Sequence, residues 1–129
     1  MSNTERDIRN TNWDIENTKS KIKKTRQEME TEIKRYNSSP PVNNSINTPS
    51  FTKKGIRRFE SVIEELLEDL SYNRYGVYDP DNVDPDEFTY LSYLSTKCHN
   101  LLYYLENLDD LNEKLKDLNY KLYLENFQY

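Results

Sequence analysis

Along three stretches of this chain, apolar residues recur at alternating steps of three and four, and little apolar material is left for anything else. Ile8, Ile15, Ile22, Met29 and Tyr36 repeat every seven residues, with Thr4, Thr11, Thr18 and Thr25 between them. Ile56, Phe59, Ile63, Leu66 and Leu70 make a second series, widened by Val62 and Leu67, and Leu91, Leu94, Cys98, Leu101, Leu105 and Leu108 a third. Such spacing marks one face of an α-helix. Only 34% of the 129 residues are hydrophobic and 32% are charged, with a mean hydropathy of -1.06. That supply suffices for narrow seams between helices and not for the core of a sheet sandwich. Two glycines and five prolines are few for hairpin-rich β folds, and the valine-rich runs of a parallel sheet are missing. The expected class is therefore all-α and extended helical. It has a coiled-coil-like N-terminal helix over 1–37, a separate element joined by a flexible Pro/Asn/Ser linker over 38–50. An antiparallel helical hairpin over 51–129 follows, ending in a long C-terminal helix.

Each piece carries its own signals. The first seam is half polar, with Ile alternating against Thr, so this helix is expected to fold onto a partner rather than pair with itself. Trp13 falls at an outward f position in that register. The linker holds three prolines among Asn and Ser, which neither helix nor strand accommodates. The second helix runs from about Ser50 or Thr52 to Tyr72, with Lys53, Lys54, Arg57 and Arg58 in its first turns and acids in its last, against its own dipole. Residues 73–84, with Gly76, Pro80 and several aspartates, read as a loop. Asp84 is a candidate N-cap for the third helix, Pro85 its first residue and Glu87 its capping-box acid. Nothing breaks this helix before Asn126. Its seam skips phase after Leu108, because Leu111, Leu115, Leu118 and Leu122 resume after three residues where four is due. The second helix can cover only the first half of the third, which leaves the second half for the first helix or another subunit.

Sites of chemistry are hard to assemble from these residues. Asp79, Asp81, Asp84, Asp86 and Glu87 lack the glycine and the bidentate glutamate of a calcium-binding loop, and prolines interrupt them. Cys98 and His99 are adjacent and cannot face one site from a continuous helix, which argues against a zinc ligand pair and a catalytic dyad alike. No Gly-rich phosphate loop, nucleophile elbow or H-E-x-x-H occurs. The expectation is a chain that is not an enzyme, with no cofactor, no metal and no small-molecule substrate. No run approaches the roughly 18 apolar residues of a membrane span, and the first ten residues lack the apolar core of a signal peptide. A soluble, intracellular protein of cytoplasm or nucleus is expected, its lone cysteine a buried thiol.

Two basic patches stand out: Lys19, Lys21, Lys23, Lys24 and Arg26, then Lys53, Lys54, Arg57 and Arg58. Residues 1–37 carry nine basic against seven acidic side chains, and residues 73–129 carry five against eleven. Attraction between the chain's own ends accounts for this polarity. A net charge of -5 speaks against nucleic acid as a ligand. In size, charge, heptads and linker the chain resembles the small helical subunits of hetero-oligomeric assemblies, such as kinetochore, Mediator or lysosome-biogenesis complexes. The function expected is that of an adaptor or scaffold subunit binding other helical subunits. Ile8, Ile15, Ile22 and Met29 would supply one protein-binding seam, and Leu111, Leu115, Leu118 and Leu122 the other. The competing expectation is a direct microtubule or nucleic-acid binder acting through the two basic patches.

Overall fold

The computed structural model describes residues 2–38, 45–72, 76 and 85–127, and these hold three helices and no strand. Helix α1 spans Asn3–Ser38, α2 spans Lys53–Leu70 and α3 spans Pro85–Glu125. All-α architecture follows, as the periodicity requires. Residues 39–44 of the expected linker lie outside the described residues. So does most of the loop 73–84, including Asp79, Asp81 and the candidate cap Asp84. No described helix is long and apolar enough to cross a membrane.

Packing groups the chain differently from chain order. One compact unit joins the N-terminal stretch through Lys24 to the C-terminal stretch from Tyr103, and a second comprises Thr25–Leu102. The long helices α1 and α3 each contribute to both.

In the Thr25–Leu102 unit, three helices close one apolar core. Met29, Ile33 and Tyr36 of α1 are buried with Ile56, Phe59 and Ile63 of α2 and with Leu91, Leu94, Cys98 and Leu101 of α3. These are the expected seam positions, with Ile33 added. Polar atoms at the edges of this core find partners. The Tyr36 hydroxyl donates to Glu87 Oε1 at 3.0 Å, and Glu28 Oε2 accepts from Lys97 Nζ at 2.6 Å and from the Tyr93 hydroxyl at 3.2 Å. Burial and the Glu87 carboxylate together push the Tyr36 phenol up to about 12.

Described linker residues are held in this unit as well. Ile46 is buried, and its backbone makes two bonds with the Asn37 carboxamide. Its N–H donates to Asn37 Oδ1 at 2.8 Å, and its carbonyl accepts from Asn37 Nδ2 at 2.9 Å. A primary amide carries one donor and one acceptor side by side, so it satisfies both backbone groups of a neighbouring residue. Helix α2 then starts at a Thr52 cap whose hydroxyl accepts from the Gly55 N–H at 3.0 Å. Glycine inside a first turn is ordinarily a weak helix former. Here the chain has no room for more, since a Cβ on Gly55 would stand 2.1 Å from the Ser50 carbonyl oxygen.

Candidate protein-binding surface

The other unit is built from two helices only. The Thr4 hydroxyl donates to Glu125 Oε1 at 2.6 Å, and Lys21 Nζ lies 5.8 Å from the centre of the Tyr104 ring. These two contacts, one near each end of the α1 stretch, fix an antiparallel pairing of its N-terminal part with the C-terminal part of α3. The polar positions of the α1 seam face inward. Thr4, Thr11 and Thr18 are buried beside Ile15, while Ile8 and Ile22 are half-buried. Thr18 satisfies its hydroxyl by donating back to the Asp14 carbonyl at 2.8 Å, whereas Thr11 Oγ1 is buried without a partner.

Opposite this narrow, partly polar row, the α3 leucines are incompletely covered. Leu91, Leu94 and Leu101 are sealed at 0% exposure in the three-helix unit, yet Leu105, Leu108, Leu111, Leu115, Leu118 and Leu122 are all half-buried. Two cylinders touch along one line, so a leucine stripe wider than that line keeps a flank in water. Aromatic side chains extend the open surface. Tyr120, Tyr123 and Phe127 are exposed, with ring centres 6.4 Å apart for the first pair and 4.7 Å for the second. Trp13 is 66% exposed, and its indole rims a groove bounded by Asp14, Asn17, Lys21, Asp110 and Leu111. Half-open leucines and exposed rings together present apolar surface on this unit.

The residues singled out from sequence thus fall into different settings. Leu111, Leu115, Leu118 and Leu122 lie in the two-helix unit with Ile8, Ile15 and Ile22. Met29 belongs to the core of the three-helix unit and is fully buried. The aromatic row escaped the sequence reading, although Tyr120, Tyr123 and Phe127 at steps of three and four carry the same helical signal as the leucines.

The basic patches are exposed apart from Lys53, which is half-buried. Several of their members have engagements within the chain. Lys19 lies 3.6 Å from Glu16. Arg26 lies 3.0 Å from Glu30 and stacks over the Phe51 ring at 4.5 Å. Exposed pairs of this kind contribute little to stability, and they moderate the positive field.

Cys98 is buried, and burial foremost, then the charges of Glu60 and Glu64, push its thiol up to about 12. A thiol held protonated this firmly is a poor nucleophile. Within the three-helix unit, Glu60, Glu64 and His99 bring their ligand atoms close together, a convergence between helices that reading each helix separately misses. With this geometry in view, comparison with protein-family models, curated proteins and solved structures finds no match.

Proposed function

We propose that this chain is a non-enzymatic adaptor or scaffold subunit that binds partner helices along the half-covered leucine face of α3 in its two-helix unit. The supporting observation is the contrast along one helix between leucines sealed through Leu101 and leucines left half-open from Leu105 onward. A partner helix laid on that stripe would complete a three-helix seam like the one the chain already builds for itself. Tyr120, Tyr123 and Phe127 would supply large, rigid contact area beside it.

Full-length tagged protein, purified with its complex, tests this reading. Leu115→Asp and Leu118→Asp are expected to lose the partner subunits while the three-helix unit keeps its melting transition. Leu101→Ala and Phe59→Ala act differently, removing buried contacts at roughly 2–5 kcal/mol each and losing partners only through unfolding. Retention of partners by the aspartate variants would overturn the proposal. Binding through the basic patches predicts instead a steep loss of association as salt rises, which a seam does not share.

A further inference from the structure

Glu60 and Glu64 stand one turn apart on α2, a spacing that sets both carboxylates on one face of the helix. Within the same three-helix unit, His99 of α3 meets them. One ligand atom from each of the three residues lies within 4.8 Å of the other two. Glu60 Oε2 is enclosed and accepts no hydrogen bond, although His99 Nδ1 is only 3.2 Å away. The imidazole is near enough for attraction, and the oxygen still accepts no hydrogen bond. A buried carboxylate oxygen left in this state is destabilising, and a cation is the group that would satisfy it.

The distances suit such a cation. Two ligand atoms each about 2.1 Å from an ion, at a tetrahedral angle, are roughly 3.4 Å apart. The Glu60–His99 separation of 3.2 Å is already close to that edge. Glu64 and His99 are exposed, so their side chains can rotate to close the remaining distance, while the more enclosed Glu60 acts as the fixed point. The donor set is two carboxylate oxygens and one imidazole nitrogen. Calcium and magnesium take oxygen throughout, whereas an imidazole among carboxylates suits zinc and its first-row neighbours. Cys98 adds no ligand, being a buried thiol in the apolar core.

We propose that Glu60, Glu64 and His99 form a binding site for a divalent transition-metal ion of the zinc type, tying α2 to α3 and leaving one coordination position to water. This site is independent of the leucine face and of whatever binds there.

Full-length protein freed of metal with EDTA and titrated with ZnCl2 by calorimetry provides the test, with Co2+ as a spectroscopic probe of the ligands. The expected result is one ion bound, a raised melting temperature, and a visible Co2+ spectrum of nitrogen and oxygen coordination. His99→Ala and Glu64→Gln alter exposed side chains, so each should melt as the parent does in EDTA while binding Zn2+ about ten-fold more weakly or worse. His99→Ala should also change the Co2+ spectrum, because it deletes the nitrogen ligand. The site is overturned if Zn2+ does not bind at 100-fold excess over protein. Unaltered Zn2+ binding in a chain carrying both His99→Ala and Glu64→Gln would overturn it equally, by placing the ion among other acids.

Discussion

At Gly55 a single hydrogen atom decides whether α2 can start where it does. The Ser50 carbonyl approaches so closely that a Cβ would overlap it, in the same turn in which the Thr52 hydroxyl caps the Gly55 N–H. Gly55→Ala should therefore destabilise the three-helix unit by about 1–3 kcal/mol, despite alanine's better helix propensity, because backbone has to give way. A melting curve decides the sign, and a stabilised variant would show that the turn relaxes freely. Tyr36 governs a second, pH-dependent contribution. Burial and its bond to Glu87 raise the folded-state pKa from 10.0 to about 12, while the unfolded chain ionises this phenol near the ordinary value. The associated stability is full below about pH 10 and is lost as pH rises toward 12. Cys98, raised from 9.0 to about 12, acts in the same direction from a lower starting point. Melting temperature should thus fall between pH 9 and 12, and Tyr36→Phe should make that fall shallower. An unchanged slope in Tyr36→Phe would mean that Tyr36 is not the group responsible.

The helices themselves were legible because each seam repeats long enough for its period to be unambiguous. Ile56, Phe59 and Ile63 were readable as the inner face of α2, and they are buried. The start of α3 at Pro85 was equally plain, since proline is tolerated in a first turn and almost nowhere else in a helix. What spacing did not reveal was how far each neighbour reaches along α3. The skip after Leu108 suggested two halves, yet complete burial ends at Leu101, before the pattern changes. That α2 is too short to cover all of α3, 18 residues against 41, was readable from the sequence, but the residue at which full burial stops was not. The Asn37–Ile46 pairing was invisible for a different reason. It depends on a side chain mimicking backbone, and the linker's prolines and asparagines signal only the absence of helix. Cys98 was readable as a buried thiol and His99 as no partner for it. The cluster around His99 depends on the register of α2 against α3, which neither helix states alone.

The whole molecule contains two units of unequal quality, and this inequality has a measurable signature. One has an apolar core contributed by three helices, with Met29, Ile56, Ile63, Leu91, Leu94 and Leu101 fully sealed. The other buries three threonines and one isoleucine from α1 against leucines that stay half-exposed. Local opening free energy follows the apolar contact a segment makes, so the units should open separately. Native-state hydrogen exchange followed by mass spectrometry should find amides in 8–22 and 108–122 exchanging at least about ten-fold faster than those in 56–63 and 91–101. Leu115→Asp should accelerate the first set and leave the second unchanged. If a partner helix completes the leucine stripe, its addition should slow exchange in 108–122, because the open flank is then buried and opening must break the new contacts. The slowing should extend to 8–22, since α1 covers the other side of the same leucines. Equal protection in both units of the free chain would mean that half-cover on α3 suffices for stability. The face would then have no unmet requirement for a partner, and the adaptor reading would lose the observation that supports it.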